Sequence, residues 1–89
     1  MKLLLVTYNL KNAGKDYSGF YNVLRDATLW WHYIDSTWLL KTSDSPSDLR
    51  GKLKPHMDEI ADSLLIIEVN DSYGGWLPQK AWDWINKNI

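Results

Sequence analysis

The chain carries two apolar runs of the kind that form buried strands, one near each end of the sequence. The first is Lys2 to Leu10, which is too short for a helix and suits a strand covered on both faces. The second is Ser63 to Val69, which follows Asp62. We expect the two segments to lie side by side in the middle of one antiparallel sheet.

Between these runs, the spacing of apolar residues predicts a first helix. From Tyr17 to Ala27, apolar side chains recur at every third or fourth position, which places them on one side of a helix. Asp16 precedes them as a candidate N-cap, because its carboxylate can accept hydrogen bonds from the amides of Ser18 or Gly19.

A second helix is expected to begin at Pro46. Ser45 before it and Asp48 after it form a capping-box pattern, and proline is favoured at the first helical position. Pro55 should end this helix near Lys54, since the residue before a proline is disfavoured in the helical conformation.

The densest group of aromatic residues lies in a predicted hairpin. Its two β-branched and aromatic runs, Trp30 to Asp35 and Thr37 to Thr42, are separated by little more than Asp35-Ser36. Strict alternation along the first run predicts that Trp31 and Tyr33 face one side of the sheet, and that the other side carries Trp30, His32 and Ile34.

The segment from Trp76 to Ile85 predicts a short helix initiated by Pro78. Its apolar stripe consists of Leu77, Ala81, Trp84 and Ile85. Trp82 and Trp84 point to different sides of such a helix, so at least one of them should contact something beyond the domain's own sheet. A partner subunit is the simplest candidate.

The predicted order of elements is strand, helix, strand, strand, helix, strand, followed by the short Trp-rich helix. With right-handed crossovers this order gives an α+β fold, a ferredoxin-like βαββαβ four-stranded antiparallel sheet with two helices on one face. We expect residues 1–89 to form a single domain. One face of the sheet is left bare, and the C-terminal segment, a partner subunit or a ligand can cover it.

Composition narrows the setting of this domain. Six Trp, five Tyr and one Phe among 89 residues suit a small core that needs large side chains, or a contact surface. The absence of Cys excludes disulfides and thiolate metal sites and suits a reducing compartment. The apolar run at Leu3 has the features of neither a signal peptide nor a membrane span, so we expect a cytoplasmic protein without a membrane partner.

Charge is unevenly distributed, although the formal net charge is only −1. Residues 1–56 contain eight Lys or Arg and five Asp or Glu, whereas residues 57–89 contain two and six, which gives +3 and −4. This asymmetry permits a local basic face for a phosphate backbone, and it is also common on ordinary solvated surfaces. The basic residues of the first loop and the second helix are Lys11, Lys15, Arg50, Lys52 and Lys54.

Polar residues at the end of the first strand form one candidate site. Tyr8 and Asn9 stand where open sheets commonly place functional groups, and an Asp at the second position could bind a divalent metal. Asn9 offers a carbonyl oxygen without negative charge, which weakens a metal site. The alternative is a structural turn residue that bonds its own backbone.

A second candidate site is the aromatic run around Trp30 and His32. Exposed aromatic side chains on a sheet can stack on bases, and neighbouring polar groups can add recognition. The alternative is that the aromatics of this run fill the core, foremost Trp31, Tyr33 and Trp38. His32 and Asp35 could form a general-base pair, but no nucleophile, phosphate loop or metal-spaced cluster accompanies them, which disfavours catalysis.

Four segments of the chain resemble a known group of small proteins. They are residues 4–10 (LLVTYNL), 30–39 (WWHYIDSTWL), 65–69 (LIIEV) and 75–78 (GWLP). The chain resembles, over nearly its whole length, the SinR-like proteins, which are labelled CRISPR-associated and are similar to the compact Cas-two adaptation nucleases. The second and fourth segments are the more specific ones.

The resemblance implies a ferredoxin-like fold that pairs into a symmetric homodimer, with nucleic acid as the ligand class. In the CRISPR relatives, an Asp follows the Tyr at the end of the first strand and is linked to metal-dependent phosphodiester cleavage. This chain has Asn9 at that position, and an amide cannot supply the charge that a carboxylate metal clamp needs. Nuclease activity is therefore disfavoured.

We expect a non-catalytic homodimeric protein that binds nucleic acid or a nucleotide without a cofactor. The expected binding residues are Tyr8, Asn9, Lys11, Lys15, Trp30, His32 and Arg50, and the expected dimer contacts are Val69, Trp76 and Trp82. Two alternatives stay open. One is an Mg²⁺- or Mn²⁺-dependent endonuclease, and the other is an accessory protein of a mobile element that acts on another protein through its Trp-rich end.

Overall fold

A computed structural model describes every residue from Met1 to Ile89. The strands are β1 (Lys2–Asn9), β2 (Leu29–Ile34), β3 (Thr37–Thr42) and β4 (Ser63–Glu68). The helices are α1 (Ser18–Arg25), α2 (Pro46–Leu53) and α3 (Gln79–Asn88), and a 3₁₀ turn at Lys54–His56 follows α2. None of the helices has the length and apolar character that crossing a membrane requires.

The four strands form one antiparallel sheet in the order β2-β3-β1-β4. β1 lies inside the sheet, with Val6 opposite Trp38 of β3 on one side and opposite Ile66 of β4 on the other. The predicted α+β class and four-stranded antiparallel sheet are confirmed, and the arrangement is consistent with a small ferredoxin-like fold. The two apolar runs are neighbours as predicted. However, β4 is an edge strand and not a middle one, because β1 is the only strand that pairs with it.

One face of the sheet is covered by α1 and α2. Leu4, Val6 and Tyr8 of β1 point to this face, where the side chain of Phe20 packs edge-on against Tyr8 with ring centroids 4.9 Å apart. The other buried members of this cluster are Leu24, Trp38, Leu40, Leu49 and Leu53. Each large apolar side chain that is fully buried stabilises the fold by about 1.5–3 kcal/mol, so this cluster is the main core.

The opposite face of the sheet is covered in part by α3. The buried residues there are Leu3, Trp31, Leu39, Ala81 and Ile85. Trp31 is only 3% exposed, and its indole Nε1 donates to the carbonyl oxygen of Ala81 at 3.3 Å. Leu65 and Ile67 of β4 lie on the same face and remain about half exposed. The C-terminal helix therefore covers the β2 and β3 side of this face and leaves the β4 side open.

Local sequence signals position the helices that build the core. Ser45 caps α2, with its Oγ accepting from the Asp48 amide at 3.1 Å and the Asp48 carboxylate accepting from the Ser45 amide at 3.1 Å. This is the predicted capping box. At α1, the helix begins at Ser18, one residue later than the apolar spacing predicts, so Tyr17 is the N-cap and the prediction of Asp16 is wrong by one residue. Asp16 still accepts from the Ser18 amide at 2.9 Å.

Two boundaries differ from the predictions for physical reasons. α3 begins at Gln79, one residue after the predicted start at Pro78, because Pro78 has an extended ψ of 152° and occupies the N-cap. In β2, a register shift between Trp31 and Ile34 places Ile34 opposite Thr37. Ile34 therefore faces the α3 side of the sheet, and the strict alternation predicted for this strand is wrong at that residue.

Candidate aromatic binding surface

Three ring systems meet where β2 and β3 pass beneath the end of α1. Trp38 is fully buried, and the imidazole ring of His32 stacks on it with centroids 4.0 Å apart and ring planes 15° apart. Trp30 lies 5.2 Å from Trp38 and is 43% exposed. His32 and Trp30 therefore face solvent, and Trp38 lies buried beneath them.

A cation lies beside these rings. The guanidinium carbon of Arg25, in the last turn of α1, is 5.8 Å from the ring centroid of Trp38 and 5.9 Å from that of Tyr21. Both distances fall within the range of cation–π attraction. We call Trp30, His32, Trp38, Tyr21 and Arg25 the aromatic cluster. Sequence reasoning missed Arg25, because the sequence does not show that the end of α1 lies over Trp38.

Tyr8 supports the aromatic cluster from inside the molecule. Its hydroxyl accepts from the Trp38 indole Nε1 at 2.9 Å and donates to the carbonyl oxygen of Asp35 at 3.4 Å. Burial raises the pKa of the Tyr8 phenol, and the hydrogen bond from Trp38 only partly opposes that effect. Tyr8 is buried. Its direct contact with a ligand, which the sequence analysis expects, stays a prediction.

Asn9 lies apart from the aromatic cluster. It ends β1 as an exposed residue and alternates with Tyr8, which places it on the opposite face of the sheet. Together with Ser36 and Ser63 it borders a shallow hollow of about 220 Å³. No group of three or more His, Cys, Asp or Glu side chains in the structure could hold a metal ion.

The predicted basic residues do not form one uninterrupted patch. Lys52 pairs with Asp44 at 2.7 Å, and Lys54 pairs with Glu59 at 3.4 Å. Arg50 on α2 shares a hollow of about 320 Å³ with three carboxylates, those of Asp58, Glu59 and Asp62. Surface pairs of this kind add little stability, yet they reduce the positive field that a phosphate backbone would meet.

Lys11 and Lys15 belong to the loop before α1, which is tied to the loop before β4. Asp62 accepts from the Lys11 amide, the Tyr17 hydroxyl and the Asp58 amide, each at 2.8 Å. Burial alone would raise the pKa of Asp62. These hydrogen bonds lower that pKa by more than burial raises it, so the net shift is downward. Lys11 and Lys15 therefore lie in a loop that is tied to the loop before β4, and Arg50 lies on α2, whereas Trp30 and His32 lie in β2.

The residues predicted for a dimer interface have different environments. Val69 is partly buried against the apolar residues between α3 and the sheet, and its amide donates to the carbonyl oxygen of Leu3 at 2.9 Å. Trp82 is half-buried and stacks on Tyr73, with ring centroids 6.1 Å apart. Trp76, in contrast, is 99% exposed. Their contact with a partner subunit stays a prediction.

An apolar cavity of about 220 Å³ opens between α3 and the sheet. Its walls include Trp31 and Leu39 from the sheet, Trp82 from α3, and Tyr73 and Leu77 from the segment between β4 and α3. A larger polar hollow of about 400 Å³ lies where the chain leaves α1 and β3, and the Lys52–Asp44 ion pair stands at its edge. Of the basic residues considered for a phosphate backbone, only Lys52 lines either space.

Comparisons of this chain with protein-family models, with curated proteins and with solved structures found no significant match. The resemblance to the SinR-like proteins therefore stays a prediction. A functional inference for this chain must be built on the fold and on the surfaces described above.

Proposed function

We propose that this protein is a non-catalytic homodimeric binding protein that holds nucleic acid or a nucleotide on its aromatic cluster. The observation that supports this most strongly is the exposed ring of His32 stacked on buried Trp38, with exposed Trp30 beside it. Arg25 supplies a positive charge at the same place. Rings for stacking and a guanidinium for a phosphate are the two groups that a nucleotide requires.

The open geometry of the aromatic cluster favours a single-stranded nucleic acid or a free nucleotide over a duplex. A base can stack on the outer rings without entering a pocket, and each base that stacks on an aromatic side chain contributes about 1–3 kcal/mol. The hydrogen bond between His32 Nε2 and the carbonyl oxygen of Asp35, at 2.9 Å, fixes the imidazole in its stacked position. The aromatic cluster is therefore ordered before a ligand binds, which lowers the entropic cost of binding.

The proposal includes the finer fold and the family. A ferredoxin-like βαββαβ arrangement of the SinR-like kind accounts for the strand order, for two helices on one face and for a third helix on the other. Asn9 takes the place of a metal-binding Asp, so we propose no metal cofactor. Purified protein incubated with Mg²⁺ or Mn²⁺ should leave single-stranded DNA and RNA intact.

Binding can be tested by fluorescence anisotropy with labelled single-stranded oligonucleotides and with a labelled adenine nucleotide. Replacing Trp30 with Ala should weaken binding by roughly 5- to 100-fold, the effect of losing one stacked base. Tyr33→Ala is the matched control, because Tyr33 is similarly exposed but contacts Trp31 on the opposite side of β2. Arg25→Gln should weaken binding and reduce its dependence on salt.

The result that contradicts the proposal is also defined. Far-UV circular dichroism identifies variants that remain folded. If the wild type binds none of these probes, or if folded Trp30→Ala binds as tightly as the Tyr33→Ala control, the aromatic cluster is not a nucleic-acid or nucleotide site. Its rings would then serve only the packing of β2 on α1.

A second candidate function is protein interaction through the Trp-rich C-terminal segment. The specific observation in its favour is the complete exposure of Trp76, since a tryptophan is highly buried in most folded proteins. Exposed apolar side chains that lie close together commonly mark an interaction surface. The homodimer in our proposal and this second function would use the same segment.

A further inference from the structure

Trp76 is held out in solvent by a segment that is itself anchored. Tyr73 stacks on Trp82 of α3, and its hydroxyl donates to Oδ1 of Asn86 at 2.6 Å. Gly75 lies directly over the indole of Trp82, where an added Cβ would sit 3.8 Å from the ring. The backbone on the N-terminal side of Trp76 is thus fixed against α3, so its side chain projects from a defined position.

An apolar cavity lies beside this segment. Eleven of its fifteen lining residues are apolar, and its volume is about 220 Å³. Sites for drug-sized ligands usually measure about 300–1,000 Å³, so this cavity suits a single large side chain better than a cofactor. Apolar walls offer a water molecule few hydrogen-bond partners.

Trp76 does not fill the cavity of its own chain. It is 99% exposed, whereas its neighbour Leu77 lines the cavity. Turning Trp76 inward would pull Tyr73 and Gly75 away from Trp82, which they contact. An indole from another molecule can enter the cavity without that loss.

We infer that Trp76 of one copy inserts into the apolar cavity of a second copy, and that the second copy's Trp76 does the same in return. This inference rests on the homodimer of the proposed function and names the contact that forms it. Trp76 is exposed, and the next residue, Leu77, lines the cavity, so the projecting side chain and the cavity are neighbours and together can form a self-complementary surface. Two such surfaces meet through a two-fold axis, at which each contact occurs twice and further growth is blocked.

The surroundings of the cavity support a second copy as the occupant. Side chains that remain about half exposed on this side of the sheet are Ile34, Leu65, Ile67, Tyr73 and Ile89. They extend the apolar surface beyond the cavity, as an interface with a buried centre requires. Each inserted Trp would remove roughly 150–250 Å² from water, and large aromatics in central pockets are the usual anchors of interfaces.

Sedimentation velocity over a range of protein concentrations tests the contact. The wild type should form a dimer, and Trp76→Ala should weaken the dimer by about 100-fold or more, because two anchors are lost together. Ile60→Ala is the matched control. Ile60 is 98% exposed and apolar, but it lies in the loop before β4, remote from the cavity, and its replacement should leave the dimer unchanged.

A mixing experiment identifies the cavity as the receptor. Ile34 is about half exposed and lines the cavity, so Ile34→Arg should obstruct the cavity without removing a core side chain. Ile34→Arg and Trp76→Ala should each be monomeric alone. An equal mixture of the two should form heterodimers, since one intact cavity can then receive one intact Trp76.

The outcomes separate this inference from the function on which it rests. A wild type that is monomeric at every concentration overturns both the homodimer and the Trp76 contact. A dimer that persists in folded Trp76→Ala, or a mixture that stays monomeric, overturns the contact alone and leaves the homodimer and the aromatic cluster standing.

Discussion

Gly19 shows how closely two elements approach at the residue scale. It lies in the first turn of α1, and a Cβ added there would lie 2.8 Å from Cε1 of His56 and closer still to Nδ1. His56 ends the 3₁₀ turn after α2, and its ring would have to shift before a side chain could fit at residue 19. The absence of a side chain at residue 19 allows α1 to pack against the end of α2.

We predict that Gly19→Ala destabilises the protein. Overpacking of this kind typically costs about 1–3 kcal/mol, and the better helix propensity of Ala recovers only about 1 kcal/mol. Urea denaturation should show a lower midpoint with an unchanged slope.

The double variant Gly19→Ala with His56→Ala should recover much of the loss, because the obstructing ring is removed. Gly51→Ala is the control, since a Cβ at Gly51 in α2 would meet no atom within 4 Å and should stabilise slightly. Equal stability of Gly19→Ala and Gly51→Ala would show that the His56 ring yields freely.

At the scale of single elements, the N-terminal cap fixes the position at which α2 begins. Leu49 and Leu53 are its only buried residues, and its first turn is closed by the two hydrogen bonds between Ser45 and Asp48. Short helices are marginal without packing or caps. The cap therefore sets where α2 begins and how Leu49 enters the core.

We predict that Ser45→Ala lowers the free energy of unfolding by about 1 kcal/mol, the usual cost of losing an N-cap side chain. Ser47→Ala, two residues on and exposed in the same turn, should change it by less than about 0.5 kcal/mol. Thermal denaturation of both variants beside the wild type makes the comparison. Similar losses for the two serines would mean that the capping box contributes nothing measurable.

The elements that could be predicted from the sequence are those with local causes. The α2 cap, the hairpin at Asp35-Ser36 and the β1 run follow from neighbouring residues and appear where expected. The cation beside Trp38 and the ties made by Asp62 depend on contacts between different elements of the chain. No pattern in a single sequence encodes such contacts. For this reason only Trp30 and His32 of the aromatic cluster could be predicted as binding residues.

At the scale of the whole molecule, carboxylates join the loops at one end of the sheet. Asp62 holds the loop before α1 through Lys11 and Tyr17, and Asp58 accepts from the Asn12 side-chain amide at 2.9 Å. Hydrogen bonds from backbone amides and from Asn12 lower the pKa of Asp58. Hydrogen bonds likewise lower the pKa of Asp62 despite the opposing effect of burial.

We predict that acid destabilises the protein through these loops. Because both pKa values are lower in the folded chain than the ordinary value of 3.8, the unfolded chain binds more protons between the two values. The stabilisation is complete above that ordinary value and is lost as the pH falls through the folded-state pKa values. Chemical denaturation measured from pH 7 down to pH 3 should show this loss.

Asp62→Asn should be less stable than the wild type at pH 7 and should lose less further stability as acid is added. Asp71→Asn, in the exposed loop after β4, serves as the control. If Asp62→Asn and the wild type have parallel stability curves over this pH range, Asp62 does not link the two loops in the way described.

The covering of β1 has a consequence for how the protein is made. Leu3 is buried beneath Ile85 of α3, and Leu5 has Ile67 of β4 as its neighbour, so both partners come much later in the chain than the strand that they cover. During translation, β1 leaves the ribosome long before those partners exist, and pairings between such distant segments form slowly. The nascent chain therefore leaves apolar side chains of β1 uncovered until β4 and α3 have been synthesised.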